Sequence, residues 1–313
     1  MKAGLHVQGM HGLGDCLHQR AVLRQLMKTR DVTLETSWPS AYHDLIAEGM
    51  HVTRRPVALR TQTKNAVREA DKFSPRHPFL RAGMQIRYHG QQVLQTPSKT
   101  ILEVMCNVTG TNYAEADYRL PVPPLWDDKL REVLGSLPGI AYQRPWMFYR
   151  PLVARPEWRG SMARNADPAA YGELFNSIRD EFFVVSVADL VEGQEWLVGP
   201  DAKADLSFHR GELVLEALAA LAKRSALVFT SSGFAAVLGP AVETPTISII
   251  GGYEDVRCHD SGVKFAPYLA IGPRGGCSCW SSACREVCDK SLDMDAARAS
   301  VLKFVAQQIS DTP

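Results

Sequence analysis

The chain reads as an α/β protein of two Rossmann-like, doubly wound domains facing a cleft, and three observations predict it. In both halves, short apolar or β-branched runs alternate with stretches of helical spacing, the pattern of parallel sheets wrapped by helices. A proline-punctuated passage, Pro121-Val122-Pro123-Pro124 and then Leu137-Pro138-Gly139, separates the halves as a linker. In each half one strand also runs through a glycine-containing turn straight into a helix, which opens a ligand crevice at the carboxyl end of a parallel sheet. The expected limits are 1–140 for the first domain and 141–313 for the second.

Taken in order, residues 3–8 predict a strand and 17–28 a helix with Leu17, Val22, Leu23 and Leu26 on one face. Residues 31–36 alternate as a second strand. Ser37 or Ser40 then caps a helix ending at Gly49, and 51–53 form a third short strand. The basic stretch beyond it reads as helix with loops. Residues 100–108 form an apolar-faced helix stopped by Thr109-Gly110. The second half restarts with a strand at 146–149, a helix at 168–180 and a β-branched strand at 182–187. Helix is expected at 212–223, strand at 227–230, a helix opening at 233–238, and strand at 246–250 before Gly251-Gly252. A final amphipathic helix is expected at 294–309.

At 45% apolar and 22% charged residues, the composition is that of a soluble globular protein with enough chain for two cores. No run approaches the roughly 20 apolar residues that cross a bilayer. The N-terminus lacks the apolar centre of a secretory signal, so a cytosolic protein is expected, free or at the inner face of the membrane. The net charge of +1 hides an asymmetry. Residues 1–145 carry 19 Lys and Arg against 13 Asp and Glu, whereas 146–313 carry 16 against 21. Most of the basic excess falls in 54–99, which includes Arg54, Arg55 and Arg60 and has only Glu69 and Asp71 on the acidic side. Such a patch favours an anionic partner: phosphorylated lipid, acidic glycan or nucleic acid. The plainer alternative is a solvated face.

Of seven cysteines, Cys16, Cys106 and Cys258 read as isolated small hydrophobes. Cys277, Cys279, Cys284 and Cys288 cluster, and three readings stay open: a structural zinc site, a redox bridge, or a reduced loop. The spacing lacks the paired C-x-x-C knuckles of a zinc module.

The chemistry concentrates in two turns. Gly12-Leu13-Gly14-Asp15 sets a carboxylate at the mouth of the first helix, without the G-x-G-x-x-G spacing of a dinucleotide site. A lone carboxylate beside glycines serves as a general base, and Asp is equally a good helix cap. His11 and His18 flank it, but no nucleophile motif completes a triad. In the second half, Ser231-Ser232-Gly233 follows a strand and opens a helix of small residues. Backbone N–H groups, two hydroxyls and the positive helix end make an anion site there, whereas a simple serine N-cap would use the same residues. The six Trp residues are scattered and form no evident stacking surface for bases.

Residues 11–26, HGLGDCLHQRAVLRQL, resemble the opening signature of glycosyltransferase family 9, the bacterial heptosyltransferases: a glycine-Asp-x-Leu-His run followed by a helix with a Leu-Arg-x-Leu ending. Residues 215–252 resemble the family's second signature, a Leu- and Ala-rich helix, a strand, a Ser/Thr-Gly turn, an alanine-rich helix and a Thr-Pro-Thr strand ending in glycine. The resemblance implies the two-domain GT-B fold and inverting, metal-independent transfer from a nucleotide-diphosphate sugar. The first domain would hold the acceptor, with Gly12, Gly14, His18 and the basic-segment residues Arg54, Arg55 and Arg60 near it. The family's catalytic carboxylate falls on Asp15, which takes the proton of an acceptor hydroxyl as that oxygen attacks the anomeric carbon. The second domain would hold the donor, its diphosphate at Ser231, Ser232 and Gly233. A basic side chain is expected in the loop after that domain's first strand: Arg155 first, Arg150 next, with Arg159 nearby. Glu192 falls where the family has an acidic residue that meets the donor ribose.

The chain also departs from the family. Ser231 stands where an Asp binds donor-sugar hydroxyls, and Ala236 where a His follows, so heptose does not carry over as the donor sugar. The expected acceptor is an anionic glycan or lipid-linked core sugar. One alternative makes nucleic acid the acceptor, with salt-sensitive binding through the basic segment. The other is a non-catalytic sugar-nucleotide-binding protein, stabilised by zinc at Cys277, Cys279, Cys284 and Cys288. No cofactor beyond the donor is otherwise implied.

Overall fold

A computed structural model of the chain describes residues 2–56, 59–75, 83–155, 162–280 and 289–310. Its contacts divide it into two compact units, Met1–Pro121 and Val122–Pro313.

In the first unit, β1 (Ala3–Gln8) leads to α1 (Leu13–Met27), β2 (Arg30–Thr36), α2 (His43–Ala47), β3 (His51–Arg54), α3 (Arg60–Arg68), β4 (Met84–Gln85), α4 (Gly90–Gln95) and α5 (Ile101–Thr109). The sheet is parallel throughout, in the order β3-β2-β1-β4. The chain begins in β1, winds outward through β2 and β3, and returns to the other side of β1. Strand order therefore reverses between β1 and β4, and open α/β sheets take ligands at the carboxyl ends of strands at such a switch point. Helix α1 starts at Leu13, earlier than the apolar spacing predicts, because Leu13 joins the buried face with Cys16, Leu17, Val22 and Leu23. The helix expected to end at Gly49 is shorter. Pro39 opens a 3-10 turn over Pro39–Tyr42, α2 follows for five residues, and neither Ser37 nor Ser40 caps it. Helix α5 ends as expected, with Gly110 at a left-handed φ of 69°, and the Thr100 hydroxyl caps its start by accepting from Glu103 N–H.

One polar feature inside this unit had no signal in the sequence. The fully buried Arg20 donates to both carboxylate oxygens of Asp44, each at 2.9 Å, and to the Arg119 carbonyl, tying α1 to α2 and to 118–119. A desolvated guanidinium is tolerable only with its donors satisfied in this way.

The second unit contains α6 (Pro124–Leu134), β5 (Trp146–Tyr149), β6 (Leu152–Ala154), α7 (Pro168–Asn176), β7 (Phe183–Val187), β8 (Trp196–Val198), β9 (Leu206–Phe208), α8 (Leu215–Arg224), β10 (Leu227–Ser231), α9 (Phe234–Ala241), β11 (Thr246–Ile249), β12 (Tyr268–Ile271) and α10 (Met294–Ser310). Its main sheet is parallel, ordered β12-β11-β10-β5-β7-β9, and β6 pairs antiparallel with β8 apart from it. Here the reversal lies between β5 and β10. Strands β5, β7, β10 and β11 are buried along their whole length, which is why they read as continuous apolar runs. Tyr149, Tyr171, Phe175 and Phe229 meet in the core between the sheet and α7. Helix α9 lies close on β11 because Gly239 faces Thr246, where any Cβ would collide with the threonine hydroxyl.

Residues 122–140 fall with the second unit, not the first as the expected limit has it. Trp126 and Leu130 bury the inner face of α6, which packs on α8, and Lys129 pairs with the buried Glu216 at 2.8 Å. Helix α7 stops at Asn176, four residues short of expectation, with a 3-10 turn at Arg179–Glu181. Among the described residues, no helix is long and apolar enough to cross a membrane.

Candidate functional site

Each switch point is occupied by a turn singled out in the sequence. In the first unit, Gly12 is the N-cap of α1 in extended conformation, and no side chain caps the helix. Asp15 is therefore not the cap; it stands three positions on, in the first turn. Its carboxylate curls back over Gly12, where a Cβ would come within 2.8 Å of Oδ2. The Tyr88 hydroxyl, just beyond β4, donates to Asp15 Oδ1 at 3.1 Å. The half-buried carboxylate thus sits at the β1–β4 reversal, steadied from the β4 side.

Cations gather near it. The His11 imidazole is held below its usual pKa, first by burial and then by the charges of Arg55 and Arg87, so it is neutral at neutral pH. Arg55 follows β3, with its N–H on the Thr36 carbonyl at 3.0 Å and only 8% of its surface exposed. Burial pulls its pKa down, and its Nη1 is buried without a hydrogen-bond partner among the described residues. A buried guanidinium nitrogen left in that state is a standing invitation to an anion. Cys16 beside the base is inert, its thiol pushed up to about 12 by burial.

The remaining first-unit expectations divide. Gly14 lies in the first turn of α1, Arg54 is exposed at the end of β3, and Arg60 opens α3 half-buried. His18 is corrected. It is 1% exposed on the inner face of α1, edge-on to Tyr118 with ring centroids 5.1 Å apart, and has no surface to offer an acceptor.

In the second unit, Gly233 is the N-cap of α9 at φ 141° and ψ −160°, a conformation only glycine adopts easily, and again no side chain caps the helix. The serine-cap alternative is thereby removed. A Cβ on Gly233 would meet nothing within 4 Å, so the space before the α9 amides is open. Ser231 is 6% exposed at the end of β10, and its hydroxyl has no hydrogen-bond partner among the described residues. The arrangement can receive an anion of phosphate size on backbone N–H groups.

The arginines expected to assist are committed elsewhere. Arg150 donates to the Val187 carbonyl at 2.7 Å and lies 5.2 Å from the Phe234 ring centre, its pKa lowered to about 10 by burial and then by Arg155. Arg155 is 9% exposed and donates to the Asp189 carbonyl. Arg159 lies outside the described residues. Glu192 is exposed in a turn; Glu195, buried three residues later, instead accepts from Val191 N–H at 3.0 Å. Cys277 and Cys279 approach to 3.2 Å between sulfurs, while Cys284 and Cys288 lie outside the described residues.

The residue that sequence reasoning missed is Arg164. Its Nη2 lies 2.7 Å from Glu254 Oε1, with the arginine side chain 37% exposed and the glutamate 2%. Burial alone would raise the Glu254 pKa, but Arg164 first, and then His259, outweigh it and hold the carboxylate below its usual range. Glu254 therefore lies between Arg164 and Ser232 of the α9 turn. The loop carrying Arg164 is fixed from three sides. Lys290 Nζ donates to the Met162 and Asn165 carbonyls at 2.6 and 3.1 Å, and Asn165 Nδ2 donates to the Val153 carbonyl at 3.1 Å. Gly251 supplies the third, because any Cβ there would collide with the Arg164 and Asn165 carbonyl oxygens. The signal that could have found it is Asp167-Pro168, a helix start whose cap to Ala170 N–H fixes the chain just past Arg164.

Two parallel, doubly wound units in one chain, each with a glycine-capped helix at its reversal, define the GT-B class of fold. Solved structures agree. The chain superposes on the iron-containing dodecameric glycosyltransferase TibC of enterotoxigenic E. coli H10407 with a TM-score of 0.60 and 13% identity, over 99% of this chain and 78% of that one. It superposes on E. coli ADP-heptose LPS heptosyltransferase II with a TM-score of 0.59 and 12% identity, over 99% of each chain. A glycosyl transferase family 9 structure from Veillonella parvula DSM 2008 gives 0.56 and 12%, over 100% and 99%. The family resemblance read from the sequence is thus matched at the level of the fold. No protein-family model and no curated protein sequence matches the chain.

Proposed function

We propose that the chain is an inverting glycosyltransferase that moves a sugar from a nucleotide-diphosphate sugar to a hydroxyl of an anionic acceptor. The observation that carries this reading is the pairing of opposite chemistries at the two switch points: a half-buried carboxylate at one, and open backbone amides beside an anchored arginine at the other. The fold shared with ADP-heptose-using enzymes supports it, since a TibC structure was solved with ADP-D-β-D-heptose.

In this mechanism Asp15 accepts the acceptor hydroxyl's proton while the oxygen attacks the anomeric carbon, and Tyr88 keeps the carboxylate turned toward the reacting group. The bond from the anomeric carbon to the phosphate oxygen breaks on the opposite face, so configuration inverts. The nucleoside diphosphate leaves with its growing charge on the α9 amides and Arg164, without need of added magnesium. Arg55, Arg87 and His11 receive a carboxylate or phosphate carried by the acceptor. The enzyme works in the cytosol on a soluble or membrane-surface glycan.

Calorimetry of the full chain with nucleoside diphosphates tests the donor half. Binding that Arg164→Ala weakens and Asp15→Ala leaves unchanged is the expected result. No binding of any nucleoside diphosphate or its sugars would overturn the reading.

A further inference from the structure

Behind the α9 turn lies a buried cluster that sugar transfer does not use. Glu254, Cys258 and His259 are 3%, 0% and 4% exposed, and their carboxylate oxygen, sulfur and imidazole nitrogen lie within 4.8 Å of one another. The Cys258 sulfur is 3.9 Å from Glu254 Oε2, while Glu254 Oε1 is held by Arg164. The segment between β11 and β12 folds back on itself through successive backbone turns, Cys258 N–H to Asp255, Asp260 N–H to Arg257 and Gly262 N–H to His259, which bring an E-x-x-x-C-H run into one place. We propose that Glu254, Cys258 and His259 bind one divalent transition-metal ion of borderline softness, such as Zn²⁺, as a structural site.

Two arguments add to this geometry. A carboxylate oxygen, an imidazole nitrogen and a sulfur form the mixed donor set that suits zinc and its first-row neighbours and does not suit magnesium or calcium. The Cys258 thiol gives up its proton to solvent as the sulfur takes the ion. Arg164 is compatible, because it occupies Oε1 while Oε2 faces the sulfur, the outer-sphere contact that orients a ligating carboxylate. The bound ion would thus stiffen the same glutamate that holds Arg164. The chemistry of the site rests on these residues alone, but its link to donor binding rests on the proposed function.

The test uses the full chain carrying Cys277→Ser and Cys279→Ser, which removes the exposed thiol pair. After chelator treatment it is titrated with Co²⁺ as a spectroscopic substitute for Zn²⁺. About one ion per chain is expected, with a near-ultraviolet thiolate-to-cobalt band. Adding Cys258→Ser should abolish the band, and adding His259→Gln should weaken binding at least roughly tenfold. Because either variant can misfold, the parent is also melted with and without Zn²⁺, which should raise its melting temperature. No retained ion, no band, or a band that survives Cys258→Ser in a folded chain overturns the site. Nucleoside diphosphate binding measured on the same samples reports separately on the donor reading.

Discussion

The mouths of α1 and α9 are the same device put to opposite ends. Both helices follow a sheet strand at a topological reversal, both are capped by a glycine, and neither has a side chain on its first amides. The third helical residue differs: Asp15 in α1, Ala236 in α9. The acid fills the positive end of α1 with the protein's own carboxylate and, in the proposed mechanism, makes the turn a proton acceptor. The methyl group leaves the end of α9 open to a ligand's charge. Local backbone geometry therefore sets where chemistry happens, and one side chain sets its sign.

The sharpest way to break the contrast is Asp15→Ala, which makes the mouth of α1 resemble that of α9. Transfer should fall by roughly 10²–10⁴, the usual worth of a positioned base. Sulfate affinity in the first unit should rise, because the positive end of α1 is then left without its carboxylate, as the end of α9 is. Full transfer activity in this variant would remove Asp15 from the mechanism. Next in size, Arg164→Ala should weaken nucleoside diphosphate binding roughly 10- to 100-fold, the cost of a charged hydrogen bond, with sulfate binding at α1 unchanged. Unaltered calorimetric affinity would shift the cation role to another residue.

A smaller effect concerns pH. His11 has a lowered pKa in the free chain, and a bound anion favours its protonated form. Sulfate binding should therefore tighten as pH falls below the usual histidine value of about 6.5, and His11→Gln should flatten that dependence. A pH-independent isotherm in the parent would place His11 away from the anion. Smallest is Ser231→Ala. The hydroxyl has no hydrogen-bond partner among the described residues, so melting temperature should not fall, while diphosphate affinity drops about fivefold, near 1 kcal/mol for one neutral hydrogen bond. A destabilised variant with normal affinity would mark Ser231 as structural.

The two turns were legible because each is continuous in sequence: a strand, a glycine, a helix. The same holds for the fully buried strands β5, β7, β10 and β11, whose apolar runs need no partner to be recognised. What escaped depends on residues far apart. The choice among Arg150, Arg155 and Arg164 turns on which guanidinium stays exposed, and that is decided by the Val187 and Asp189 carbonyls, by Glu254 and by Lys290. His18 and Asp15 share one motif, yet the packing of α1 on Tyr118 buries the histidine alone. Short strands such as β9 and β12, three and four residues long, carry too little pattern to announce themselves.

Gly251 gives the second unit an unguarded hinge pin. It touches no ligand in the mechanism and carries no charge, so a scan of polar residues would pass it over. Yet one added methyl group must push the Arg164–Asn165 backbone outward and take the guanidinium with it. Gly251→Ala should then reproduce much of the Arg164→Ala binding defect with every functional group still in the chain, a loss of activity with no chemistry deleted.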